Sequence, residues 1–184
     1  MHARLAGVGR PPSIAPLMKT DRRQSSSMRY VFLFFALLTV AYARLGENRA
    51  ELVARLGPVK LESKHFIVAQ GQISPLGPAL FFEKDQWMIQ CDIVDGRCAK
   101  ITYGKKGDWT PDQIATLLQN NAQNKRWTED HDSNKMIRKW TRQDGATAQW
   151  KFTGSMEFES PAYLEAKNRR EAELKAAAEK RPNL

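Results

Sequence analysis

Apolar side chains recur at helical spacing in two segments of the chain. The first covers about residues 47–56 and is followed by Gly57-Pro58, where Gly supplies a left-handed cap and Pro prevents continuation. The second covers about residues 110–121, with Thr110 as the cap, a Pro next to it and Gln113 closing a capping box. The pattern therefore predicts two amphipathic helices, each with one apolar stripe.

Strict alternation of apolar and polar positions marks the strands. The Gly- and Pro-rich run at residues 71–78 predicts a loop between the first two strands, 61–69 and 79–84. The predicted strands are 61–69, 79–84, 86–93, 97–103, 136–142, 146–153 and 155–159. Short strands joined by turns indicate an antiparallel sheet, so the expected fold class is α+β.

The turn at Asp95-Gly96 joins two strands whose register follows from alternation. A two-residue turn would send Lys100 and Thr102 to the apolar face, whereas a three-residue loop, Val94-Asp95-Gly96, keeps them on the polar face. We therefore predict the three-residue loop. Its pairs are Cys91 with Ala99, Ile89 with Ile101, and Trp87 with Tyr103.

A second hairpin surrounds Gln143-Asp144-Gly145, and alternation again selects a three-residue loop. The predicted pairs are Trp140 with Ala148, Arg138 with Trp150, and Met136 with Phe152. Because each hairpin follows a predicted helix, the α+β domain at residues 44–160 is either one unit or two tandem units, 44–107 and 108–160.

The last segment, residues 161–184, predicts a charged helix that begins after the cap Ser160. Its apolar stripe is thin, with Tyr163, Leu164 and Leu174 as the residues expected to dock on the domain. This polar helix or tail is either a solvated helix or a partner-binding segment.

Residues 28–43 have the organisation of a signal peptide. A basic residue, Arg29, precedes the uncharged apolar run Tyr30–Val40, and Ala41-Tyr42-Ala43 has the small-x-small pattern of a cleavage site. The run is about a dozen residues, against the ~20 that span a bilayer, so cleavage is favoured over an uncleaved N-terminal anchor. We expect an exported protein, periplasmic or extracellular, and no lipid-bearing cysteine follows the run.

The segment before it, residues 1–27, is basic and rich in Pro and Ser, so we interpret it as a disordered or spurious extension. Met1, Met18 and Met28 are alternative starts. Residues 1–43 hold six of the 29 basic side chains and one of the 20 acidic ones. The remainder carries 23 against 19, a net charge of about +4, which makes a nucleic-acid partner unlikely.

Few residues indicate a catalytic site, a metal site or a disulfide. In the predicted register Cys91 and Cys98 point to opposite faces, which favours two thiols over a disulfide. The acidic cluster at 129–132 lacks the ligand spacing of a calcium loop, and His65 stands alone in a strand. We therefore predict no catalytic residue, no metal site and no cofactor.

Aromatic side chains are the remaining candidates for a binding site. Alternation points Trp87, Trp140 and Trp150 inward, as core residues. Trp109 and Trp127 flank the second helix and are less constrained. We name these two as candidate exposed binding residues.

Residues 46–58, GENRAELVARLGP, resemble the opening of the small outer-membrane assembly lipoproteins of the SmpA/OmlA type. Strands around an Asp-Gly turn extend the resemblance over residues 46–105, without the lipid-bearing cysteine. A tandem of such units would resemble β-lactamase-inhibitor-type proteins. Either resemblance implies a non-enzymatic α+β interaction module.

The leading hypothesis is an exported, non-enzymatic interaction module of the bacterial cell envelope. It would bind another envelope protein, and would contact a membrane only through an uncleaved segment 28–43. The alternatives are a small secreted hydrolase or ligand-binding protein, which a deep pocket containing His65 or several carboxylates would favour, and a protein that binds an anionic polymer such as nucleic acid or glycan.

Overall fold

Three helices and eight strands make up the structure, a computed structural model that describes residues 42–180. The helices are α1 (Arg49–Leu56), α2 (Pro111–Asn120) and α3 (Pro161–Glu179). The strands are β1 (Leu61–Ala69), β2 (Gln72–Lys84), β3 (Trp87–Val94), β4 (Arg97–Lys105), β5 (Trp127–Glu129), β6 (Ile137–Arg142), β7 (Thr147–Lys151) and β8 (Ser155–Glu159).

All eight strands form one open antiparallel sheet in the order β1-β2-β3-β4-β8-β7-β6-β5. One face, which we call the core face, packs against α1 and α2 through Leu52, Leu56, Ile114 and Leu117. The opposite face carries α3, which contacts β1 to β4. The predicted α+β class, with an antiparallel sheet and a C-terminal helix, is confirmed.

The helix starts follow from local sequence. Asn48 and Thr110 each accept a hydrogen bond from the amide of the third residue of their helix, and the side-chain oxygen of that residue accepts one from the amide of the cap residue. Ser160 caps α3 by accepting from the Tyr163 amide. Tyr163 and Leu174 are buried as predicted, and Ala166 joins them while Leu164 is only half-buried.

The predicted loop at residues 71–78 is wrong, because β2 runs through it from Gln72. In this stretch β2 pairs only with β1, since its pairing with β3 begins at Ala79. A proline lacks the amide that a second neighbour would need, so Pro75 and Pro78 are tolerated where the strand has a neighbour on one side only.

The predicted register of the first hairpin is also wrong. Val94 pairs with Arg97, so the turn has two residues, Asp95 and Gly96, both with positive φ. Such turns match the twist of the strands. A bulge at Ala99 then returns Ile101 and Tyr103 to the apolar face, where Ile101 pairs with Cys91 and Tyr103 pairs with Ile89. The Ala99 carbonyl accepts a hydrogen bond from the Ser160 amide at the start of α3.

This bulge places Cys98 on the same face as Cys91, not on the opposite one. Both are free thiols and both are buried, at 0% and 1% exposure. Burial, together with the neighbouring Cys91, raises the pKa of the Cys98 thiol well above its usual value. The thiol prediction therefore agrees with the structure although its geometric reason does not.

The second hairpin has the predicted pairs, Arg138 with Trp150 and Trp140 with Ala148. The Arg142 amide donates to the Ala146 carbonyl, which closes the three-residue loop. One strand was not predicted: β5 pairs with β6 and forms the last edge of the sheet. At three residues it is too short for alternation to reveal.

The segments predicted as an N-terminal extension and as the apolar part of a signal peptide, residues 1–41, lie outside the described residues. Of the predicted signal peptide only Tyr42 and Ala43 are described. Within residues 42–180, no helix has the length and hydrophobicity needed to cross a bilayer.

Candidate functional site

A polar cluster lies between α3 and the sheet. The His65 ring on β1 bridges two partners: its Nε2 atom lies 2.9 Å from the Tyr163 hydroxyl on α3, and its Nδ1 atom lies 3.3 Å from Oδ2 of Asp92 on β3. Gln90 donates to Oδ1 of Asp92 at 2.7 Å. These four residues, with Lys100, are called the helix cluster below.

Lys100 of β4 is the charged centre of the helix cluster. Its ammonium contacts carboxylates of Glu157 and Glu159 on β8 at 3.0 and 2.9 Å, and lies 5.4 Å from the ring centroid of Tyr163. Burial by itself lowers the pKa of Lys100, but the hydrogen bond to Glu159 and the charges of both glutamates outweigh it, so the pKa is raised. Lys100 is therefore held as a cation.

Asp92 has the opposite balance. It is 1% exposed, and this burial raises its pKa, although the hydrogen bond from Gln90 and the nearby His65 and Lys100 partly offset the effect. Its Oδ2 atom has no hydrogen bond of good geometry. The charges of His65 and Lys100 thus help to stabilise the Asp92 carboxylate, and α3 packs against the strand that carries it.

The order Tyr163–His65–Asp92 resembles a nucleophile, base and orienting carboxylate. Burial raises the pKa of Tyr163 to about 12, with Lys100 working against the rise and Glu159 adding to it, so the phenolate is disfavoured. None of these three residues lines the neighbouring groove that contains Leu61 and Met88. The arrangement instead joins α3 to three strands, and we interpret it as the contact that fixes this helix on the sheet.

Glu157 of β8 is the carboxylate that Lys100 shares with Lys151 of β7. Burial works to raise its pKa, but the hydrogen bond from Lys151 and the charge of Lys100 lower it below 4.5. A carboxylate whose folded pKa is lowered stabilises the fold above its unfolded pKa, and the contribution is lost as pH falls through the folded value. Replacing Glu157 leaves two partly buried ammonium groups with fewer partners.

We expect Glu157→Gln to lower the free energy of unfolding by about 1–3 kcal/mol at pH 7, as for a partly buried charge that loses its partner. The difference from the wild type should shrink when the pH is brought well below 4.5. Urea unfolding at the two pH values measures it. Glu165→Gln, on the exposed side of α3, is the matched control and should change neither value by more than about 0.5 kcal/mol.

Beside the helix cluster, the same sheet face is not covered by α3. A groove of about 860 Å³ lies there, with Leu61, Phe81 and Met88 among its lining residues. Leu61 is 58% exposed and Met88 69% exposed. The side chain of Gln90 lines the groove as well as binding Asp92, so the groove adjoins the helix cluster directly.

Charges surround the apolar part of the groove. Lys60, Lys105 and Lys106 line it, together with the carboxylates Glu83 and Asp85. The Lys105 ammonium lies 5.7 Å from the ring centroid of Trp87. The groove therefore combines exposed apolar side chains with a rim of mixed charge, basic by one.

The two residues predicted as an exposed binding site, Trp109 and Trp127, are half-buried and pack against the core. Trp109 contacts Trp87 at a centroid distance of 5.0 Å, and Trp127 contacts Phe158 at 5.9 Å. Tyr103 joins Trp87 to Phe158, at 6.1 and 6.0 Å. The two tryptophans are thus the ends of a chain of five aromatic rings that crosses the core, and the structure does not bring them together.

The sequence did contain a signal for the groove. Met88 occupies a polar-phase position of its strand, between the inward-facing Trp87 and Ile89, and Leu61 occupies the outward phase of β1. Large apolar residues at outward positions of neighbouring strands indicate a contact surface. Their proximity follows from the order of β1, β2 and β3 in the sheet, which alternation within each strand does not reveal.

Among residues 42–180, no three His, Cys, Asp or Glu side chains are grouped so that they could hold a metal ion. In comparisons with known proteins, no protein-family model matches the chain, and neither does any curated protein or solved structure.

Proposed function

We propose that this protein is an exported, non-enzymatic interaction module of the bacterial cell envelope that binds another envelope protein. The observation that carries the proposal is the groove containing Leu61, Phe81 and Met88, where the first and last are more than half exposed. Exposed apolar side chains grouped on one face are typical of protein-binding surfaces.

The chemistry of the groove favours a protein segment as its occupant. Its apolar residues match one or two aliphatic or aromatic side chains, and its three lysines match acidic groups beside them. A glycan or nucleic acid would use a continuous basic surface or stacked open rings, whereas Glu83 and Asp85 interrupt the lysines.

The topology supports a module of two tandem units. Each half consists of a helix followed by four consecutive antiparallel strands, and the fourth strands, β4 and β8, pair with each other at the centre of the sheet. We propose that residues 44–107 and 108–160 are such units, as the resemblance to the SmpA/OmlA and β-lactamase-inhibitor types implies. Export, as the segment 28–43 predicts, would bring this module into the envelope.

Site-specific photo-crosslinking in envelope extracts tests the proposal. A crosslinker at position 88 and one at position 61 should capture the same protein, identified by mass spectrometry, and a crosslinker at position 136 should not. Met136 is the matched control because it is also a solvent-facing methionine, 56% exposed, and lies outside the groove.

The purified partner then gives the quantitative result. Met88→Glu should weaken binding at least tenfold, about 1.4 kcal/mol, because a carboxylate would be buried against apolar groups. Met136→Glu should leave the affinity unchanged. Equal effects of the two substitutions, or different proteins captured at positions 61 and 88, would contradict the proposed groove function.

A further inference from the structure

The residues next to the predicted cleavage site belong to the folded core. Ala43 is fully buried and Leu45 is 3% exposed. The Tyr42 ring packs edge-on against Trp87 and Tyr103, with centroid distances of 6.0 and 6.2 Å. Tyr42 therefore extends the aromatic chain of the core, and Ala43 is buried beside it.

A buried hydroxyl depends on the same two residues. Tyr103 is fully buried, and its hydroxyl donates a hydrogen bond of 2.6 Å to the Ala43 carbonyl. Burial raises the pKa of Tyr103 well above its usual value, so the group stays a neutral donor that needs an acceptor. Leaving such a donor without its partner costs stability.

Cleavage between Ala43 and Arg44 would remove these contacts. The new ammonium at Arg44 would keep a partner, because the Arg44 nitrogen lies 3.0 Å from Oε2 of Glu47. The Tyr42 ring and the Ala43 carbonyl, however, would leave with the signal peptide. The site suggested by Ala41-Tyr42-Ala43 thus conflicts with the packing of the domain.

We infer that signal peptidase hydrolyses the Ala41–Tyr42 bond, so that the mature chain begins at Tyr42; this inference rests on the proposed export. Thr39-Val40-Ala41 supplies small residues at the two positions that the enzyme reads. The apolar run before it, Tyr30–Leu38, stays within the usual length of such regions. Water is consumed, and the products are a carboxylate on Ala41 and a free amine on Tyr42.

The same packing limits the alternative of a permanent anchor. With Tyr42 and Ala43 used by the domain, the uncharged stretch left is Tyr30–Ala41. Twelve residues at 1.5 Å each would extend about 18 Å as a helix, well short of the ~30 Å hydrocarbon core. Cleavage upstream of Tyr42 is therefore the processing that preserves the domain.

N-terminal sequencing and intact mass of the full chain, expressed in a bacterium and recovered from the extracytoplasmic fraction, test the inference. The expected first residue is Tyr42. A first residue of Arg44 would overturn the inference while leaving export intact. An uncut chain found only in the cytoplasm would instead contradict export, and with it the proposed function.

Two signal-peptide variants sharpen the test without changing the mature domain. Thr39→Leu puts a large side chain at the outer recognition position of the Ala41–Tyr42 site, but not at either recognition position of the Ala43–Arg44 site. It should abolish the Tyr42 product. Val40→Leu, the matched control, changes a position that neither site reads and should be processed normally. Normal processing of both variants would overturn the inference.

Discussion

Phe158→Ala is expected to lower the free energy of unfolding by about 3–5 kcal/mol, the usual cost of truncating a fully buried Phe. Phe158 is 0% exposed and contacts Tyr103 and Trp127 edge-on. It lies on β8, opposite Ile101 of β4 and Ala148 of β7. Its truncation would therefore leave a cavity at the junction of the two four-strand halves. Chemical denaturation followed by tryptophan fluorescence measures the loss.

Phe152→Ala is the matched control for this prediction. Phe152 is the same residue type, precedes the same strand and is 64% exposed. Its truncation should change the free energy of unfolding by no more than about 0.5 kcal/mol. Comparable losses for the two variants would show that the central aromatic chain does not hold the halves together.

Gly77→Ala is expected to cost about 3 kcal/mol or more, because a Cβ atom at residue 77 would lie 2.1 Å from the Ile93 carbonyl oxygen. The obstacle is backbone, so no rotamer change relieves the clash. Relief of the clash would move β2, and with it β1, because Gly77 pairs with His65. This movement should also disturb the helix cluster. Denaturation, together with hydrogen exchange of the β1 amides, measures both effects.

Gly104→Ala separates this clash from the general effect of replacing a strand glycine. Its Cβ atom would have Met88 O as its nearest neighbour, at 3.9 Å, which is ordinary contact. The substitution should be neutral or stabilise by about 0.4–1 kcal/mol, because the unfolded chain loses freedom. If Gly77→Ala were equally mild, the close approach of β2 and β3 at this point would be disproved.

The two Asp-Gly hairpins show why alternation predicted one register and missed the other. Around Asp144 the alternating positions continue without interruption, and the expected pairs are observed. Around Asp95 the strand contains an extra residue, Ala99, which reverses the phase between the turn and Ile101. A sequence pattern gives the relative phase of two strands but does not distinguish a longer loop from a shorter loop with a bulge.

The candidate site was less accessible to sequence reasoning than the fold. In the sequence His65 has no chemical partner nearby, because Asp92 and Tyr163, which it contacts in the fold, lie 27 and 98 residues away. Their meeting depends on the order of the strands and on the face to which α3 returns. The groove is open for the same reason, since α3 covers one part of that face and leaves Leu61 and Met88 exposed.

The sequence by itself determined the α+β class, the capped helix starts and most strands, because caps, turns and periodicity act over a few residues. The tertiary structure decided which strands became neighbours, the bulge that brings both cysteines to the core face, and the place of α3. It also decided that Tyr42 and Ala43 belong to the core. These features depend on contacts between residues that are distant along the chain, where local preference carries no information.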